Sequence, residues 1–100
     1  MQVRHVGSNT IGAMAVTILH DVKSVPPHFD AVREGLKTAE LRKDDRGYKV
    51  GDTLRQREFD AGEYTGRFIE HEITHKLVGG PWLSDGYCML SLGRVIGGNF

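Results

Sequence analysis

Apolar positions along the chain fall into short blocks of two different periods. Residues 15–19, Ala-Val-Thr-Ile-Leu, are β-branched and apolar, the composition of a half-buried pleated surface, and they predict the first strand. After Pro26 and Pro27 the period changes. Phe29, Val32 and Leu36 recur at spacings of three and four, which predicts a helix over residues 27–34 with one apolar stripe. Pro27 suits its first turn and Gly35 its left-handed stop. Alternation then returns in Lys37-Thr38-Ala39-Glu40-Leu41-Arg42, where Ala39 and Leu41 share one face while Thr38, Glu40 and Arg42 share the other. Turns are expected at 45–48 and 50–52, a strand over 53–59 with Leu54, Gln56 and Glu58 on one face, and a hairpin loop over 60–66. The last strand is expected over 87–93, and 94–100 forms a tail with a short edge strand.

Residues 67–78 admit both periods. His71-Glu72-Ile73-Thr74-His75 matches H-E-x-x-H, which on a helix turns two histidines to one face for zinc. The Ile and Thr content, the glycine-bounded loop before it and the lack of a capping residue favour a strand. On a strand, residues four apart are separated by roughly 13 Å of rise, too far to share a metal. No metal and no cofactor is therefore expected, and His71 and His75 belong with Ile69, Ile73 and Leu77 on a half-buried face. Trp82, in the turn-rich loop 78–86, either stacks on a ligand or caps the open end of the core, and packing is the favoured role.

Composition narrows the function classes. One hundred residues at 39% hydrophobic content make one domain with one core. Thirteen basic and thirteen acidic residues give zero formal charge, which excludes a protein that grips long duplexes by phosphate neutralisation and leaves any nucleic-acid contact local. The single cysteine, Cys88, forms no internal disulfide and reads as core filler. With no long apolar run and no signal pattern, the expected setting is cytoplasmic, away from membranes. Residues 1–13 hold two glycines and a Ser8-Asn9-Thr10 cluster without sustained period, and read as an accessory extension to a domain over 14–100. Met14 is an alternative start, and terminal segments of such composition are commonly mobile.

Ionisable residues concentrate in 35–52. Lys37, Glu40 and Arg42 stand on one short ledge, followed by Lys43, Asp44, Asp45 and Arg46. An exposed, salt-bridged strand face would explain them. Turned inward over a hollow, they would instead surround a guest, with Arg42 gripping a phosphate or carbonyl oxygen, Lys37 supplying a point charge and Glu40 accepting from an exocyclic amine. His20, Lys23, Arg46 and Glu58 are further candidates for the same cleft.

The run Gly35-Leu36-Lys37-Thr38-Ala39-Glu40-Leu41-Arg42 resembles the G-x-K-x-x-E-x-R signature of ASCH domains in the PUA-like superfamily. His20-Asp21-Val22-Lys23, Pro27-His28-Phe29, Lys43-Asp44-Asp45-Arg46, Val50-Gly51-Asp52 and Arg57-Glu58 look like its small bacterial and phage branch of unknown function. The likeness spans about residues 15–93. It implies a mainly β, α+β fold with one or two short helices, a small partly closed β-barrel whose cleft between helix and charged strand receives RNA or a nucleotide-like ligand. One ASCH branch removes the acetyl group of N4-acetylcytidine with a lysine, a threonine and a glutamate. Lys37 stands at the lysine position, Glu40 stands where the threonine belongs, and loop 78–86 is too short for the helical insertion that carries the glutamate.

Three functions follow as expectations. The first is a module binding RNA or a modified nucleoside through Lys37, Glu40, Arg42 and Arg46, with His20, Lys23 and Glu58 behind them. The second is a small amidohydrolase acting on an acylated nucleoside, with Lys37 and Glu40 handling protons. A lysine desolvated in a cleft can act as base or nucleophile, though an adjacent carboxylate opposes this by favouring the ammonium. The third is a protein-interaction module that binds another protein through the charged ledge.

Overall fold

A computed structural model describes residues 2–7 and 14–100, with side chains from Val16 onward. Of the expected accessory extension, Gln2–Gly7 forms strand β1, and the remainder lies outside the described residues. Among the described residues six strands and one helix follow the order β1, β2 (Met14–Ser24), α1 (His28–Arg33), β3 (Ala39–Lys43), β4 (Thr53–Asp60), β5 (Glu63–Val78) and β6 (Tyr87–Gly98). They make one mixed sheet with the spatial order β1-β2-β4-β5-β6-β3, in which only β2 and β4 run parallel. That parallel pair requires a crossover, and α1, β3 and the turns before β4 supply it.

Three elements are longer than the hydrophobic pattern predicts. Strand β2 continues past Leu19 to Ser24, because His20, Val22 and Ser24 keep alternating inward although only Val22 is apolar. The hairpin loop expected over 60–66 shrinks to Ala61 and Gly62, both at positive φ (52° and 84°), the geometry of a two-residue type I′ turn. Strand β6 runs through Gly93 and Gly97 instead of stopping. A Cβ at Gly93 would sit 2.7 Å from Thr74 Cγ2, so this glycine lets β5 and β6 approach closely within an unbroken strand.

The 67–78 segment is a strand, as its composition predicts. Its pairing with β6 shifts register between Glu70 and His71, His71 and Ile73, and Ile73 and His75. These irregularities divide the expected half-buried face: Ile69, His71 and Ile73 are buried, while His75 and Leu77 are exposed. Among the described residues no cluster of three or more His, Cys, Asp or Glu is placed to hold a metal ion.

The interior face is lined by Val22, Leu54, Ile73, Cys88, Leu90 and Tyr48, and by a second group in which Phe29 and Val32 of α1 pack on Ile69; Leu92 touches both. Cys88 is fully buried, and burial pushes its thiol up, consistent with a packing role. The predicted barrel is not closed by a backbone ladder. Strands β1 and β3 are the two edges of the sheet. Past Leu19, where β1 stops pairing, Arg42 Nη2 donates to the Lys23 carbonyl and Arg46 Nη1 to the Asp21 carbonyl. The β3 end therefore meets β2 through two guanidinium groups that take up alternate carbonyls of its flank.

Candidate functional site

The site begins with the end of α1. Glu34 caps the helix, Gly35 takes φ +77°, and the amides of Leu36 and Lys37 both donate to Ala31 O. That doubled acceptor reverses the chain within three residues and delivers Lys37 beside β3. Along β3 the polar members face inward and the apolar one outward: Glu40 is 7% exposed and Leu41 53%. Antiparallel pairing with β6 fixes this orientation, since Glu40 lies opposite Leu90 and Arg42 opposite Cys88, both of them core residues.

A hollow of about 440 Å³ opens here, walled by Lys23, Ser24 and Val25 from β2 and the turn after it, His28 from α1, and Lys37, Glu40, Leu41 and Arg42. Glu40 is held from two sides. Lys37 Nζ contacts its Oε1 and also donates to Ala39 O at 2.7 Å, while Arg42 Nη2 lies 2.6 Å from its Oε2. Arg42 Nε is shielded from solvent and has no hydrogen-bond partner among the described residues. A guest therefore meets a carboxylate, a guanidinium and an ammonium within one concavity.

Glu40 and Arg42 share the inner side as the alternation predicts, Lys37 reaches them from the turn before β3, and the other candidates are placed differently. Lys23 borders the hollow with its main chain, because on a strand its side chain opposes that of Ser24; its ammonium rests 4.2 Å from the Phe59 ring centroid on the outer face. Arg46 does not line the hollow and instead donates to the Asp21 carbonyl. His20 is also elsewhere: its Nε2 is 2.8 Å from Asp52 Oδ2, and its ring tilts against Tyr48 at 4.7 Å. Asp52 accepts from the amides of Ile18 and Lys49 as well, so the Val50-Gly51-Asp52 reversal is a structural clasp.

Glu58 faces inward beside Leu54, but β5 supplies its own partner. Arg67 Nε and Nη2 grip the two Glu58 oxygens at 2.9 and 2.8 Å, and Thr65 Oγ1 donates at 2.7 Å. These bonds, Arg67 first, hold the Glu58 carboxyl below its usual range. Ser24, Val25, His28 and Leu41 were not anticipated at the hollow. Ser24 was readable by extending the His20, Val22 alternation one step.

Trp82 is 77% exposed, so the expected packing role does not hold. It lines a second hollow of about 360 Å³ with Leu41, Leu83, Ser84 and Tyr87, and Leu41 is common to both. Among the described residues no helix is long and apolar enough to cross a membrane.

The family model described as a domain of unknown function, DUF3850, matches residues 19–92, which includes the whole of the first hollow. The chain belongs to the DUF3850 family. It is also 44% identical over 79 residues to an uncharacterized 12.9 kDa protein from the GpA 3′ region of Escherichia phage P2, covering 79% of this chain and 70% of that one. The DUF3850 match begins inside β2 and ends inside β6, leaving β1 outside it.

Proposed function

We propose that this DUF3850 protein binds RNA or a modified nucleoside in the hollow between α1 and β3. The observation that carries the reading is Glu40, nearly buried, clasped by Lys37 and Arg42 at the wall of a hollow whose 440 Å³ falls in the range of about 300–1,000 Å³ typical of small-ligand sites. Glu40 offers an acceptor to an exocyclic amine and the part-exposed Arg42 guanidinium a donor to a ring nitrogen or carbonyl, which together match a base edge. The G-x-K-x-x-E-x-R run, and an edge strand brought to β2 by guanidinium groups, support placing the fold with the PUA-like barrels of the ASCH type.

Titration calorimetry with nucleosides and short single-stranded RNAs tests it. Saturable binding that falls at least about tenfold in Arg42→Ala is the expected result, the loss of one charge-assisted recognition contact. Absence of saturable binding in a folded wild type removes the reading. The direct contact of Lys37 with Glu40 favours one other function, amide hydrolysis on an acylated nucleoside with this pair handling protons. Against it, Lys37 Nζ is already engaged with two acceptors, an arrangement suited to a clamp. Cytidine released from N4-acetylcytidine, and lost in Lys37→Ala, would establish the hydrolase.

A further inference from the structure

The second hollow has no part in the reading so far. Most aromatic rings of the protein are already covered: Phe59 by Lys23, Tyr64 by Arg57, Phe68 by Arg55, Phe29 by Arg67 and Tyr48 by His20. Phe100 is also exposed, and Trp82 and Tyr87 differ in lining one hollow together. They are 77% and 44% exposed, and among the described residues neither ring has an aromatic or cationic neighbour stacked on it. Their loop is nevertheless fixed by its backbone, with Leu83 N donating to Gly79 O at 3.1 Å and Tyr87 N to Ser84 O at 3.2 Å. It is tied to the ledge as well, since Asp44 N donates to Gly86 O at 2.7 Å directly after β3 ends. Lys43 pairs in register with Tyr87, is exposed, and has no ion-pair partner among the described residues. Bare rings, an exposed cation beside them and Leu41, which turns its side chain outward and borders both hollows, place an apolar platform across β3 from the polar hollow.

We infer that Trp82 and Tyr87 form a stacking subsite for the base adjacent to the one held in the first hollow, with Lys43 at the linking phosphate, so that the ligand is single-stranded RNA and not a free nucleoside. This rests on the proposed function of the first hollow. Stacking on an aromatic ring tolerates any base, while the hollow across Leu41 reads an edge; the two subsites divide affinity and selectivity between them.

Trp82 is the sole tryptophan, so its emission reports the platform directly. The probes are the four nucleosides and a homohexamer of each. Hexamer binding is expected to quench Trp82 and nucleoside binding to leave it unchanged, and Trp82→Ala is expected to weaken the hexamer about tenfold while leaving nucleoside affinity intact. Trp82→Phe, which keeps a stacking face, should recover part of that loss. The inference is overturned if Trp82→Ala leaves hexamer affinity unchanged, or if ultracentrifugation shows Trp82-dependent self-association that gives the face to a second copy. Arg42→Ala separates the two claims: if it spares both ligands while Trp82→Ala still weakens the hexamer, the first hollow is misassigned and the platform stands. A wild type that binds none of the probes removes both.

Discussion

Two inward-facing glutamates, Glu40 on β3 and Glu58 on β4, are buried to nearly the same degree and answered by cations, yet they do different things. Glu58 meets a fork: two nitrogens of Arg67 take its two oxygens, Thr65 adds a third donor, and Asp30 lies 3.3 Å from the same guanidinium. Its hydrogen-bonding capacity is spent inside the protein. Glu40 divides its oxygens between Lys37 and Arg42, and that cluster lines a hollow. Charge and burial are common to both clusters. A place on the wall of the first hollow belongs to one, and that property makes a candidate site.

The comparison is most strongly tested from beneath. Phe29 is fully buried and its ring lies under Arg67, 5.1 Å from the guanidinium carbon, so the core and the Glu58 cluster lean on one side chain. Phe29→Ala is expected to cost about 3–5 kcal/mol in urea unfolding, the usual range for truncating a buried phenylalanine. A loss below about 1 kcal/mol would mean that the helix contributes little to the core.

Next in size is Arg67→Ala. It leaves Glu58 with Thr65 alone, and the loss of both guanidinium bonds should lower the urea unfolding midpoint at neutral pH. Because Arg67 is the main cause of the lowered Glu58 pKa, the sign with pH is fixed. The wild-type contribution is present above the unfolded carboxyl pKa of 4.5 and is lost as pH falls through the lower folded value. The difference between wild type and variant should thus shrink on acidification, which unfolding curves at pH 7 and pH 3 would reveal.

Arg42→Ala is the matched change in the other cluster. Glu40 retains Lys37, so the expected cost in stability is smaller, about 1–2 kcal/mol, while ligand binding falls at least about tenfold. The opposite ranking, with Arg67→Ala abolishing binding and Arg42→Ala sparing it, would exchange the roles of the two clusters.

What the sequence revealed of these regions follows the range of the interactions. The helix stop at Gly35 and the inward turn of Glu40 and Arg42 depend on neighbours a few residues away, and both were legible from spacing. The strand character of 67–78 was likewise set by local composition, which overruled an H-E-x-x-H match. The fate of His20 depends on Asp52, thirty-two positions on, and that of Glu58 on Arg67 across a hairpin, so period and composition carried no trace of either partner. Lys23 borders the hollow, and the place of its ammonium has a simpler reason: continuing β2 as a strand puts Ser24 inside and the Lys23 ammonium outside. Glycine misled twice. By pattern Gly66 and Gly93 mark boundaries, whereas both lie inside long strands.

The smallest expected effect concerns a third interior polar residue. His71 sits on β5 between Ile69 and Ile73, 5% exposed, with Nδ1 unpartnered among the described residues. Burial alone lowers its pKa from 6.5, so the folded protein holds the ring neutral. The unfolded chain binds the proton first as pH falls below 6.5, and stability declines from there until the folded value is passed. His71→Leu removes that dependence and exchanges an unsatisfied nitrogen for a methyl group in an apolar row, so it should be neutral or stabilising by up to about 1 kcal/mol at pH 7. Midpoints measured at pH 7.5 and pH 5.5 should then converge in the variant and diverge in the wild type. If both proteins keep the same slope over this interval, the titrating group lies elsewhere, and the buried imidazole of β5 has found a partner that offsets its desolvation.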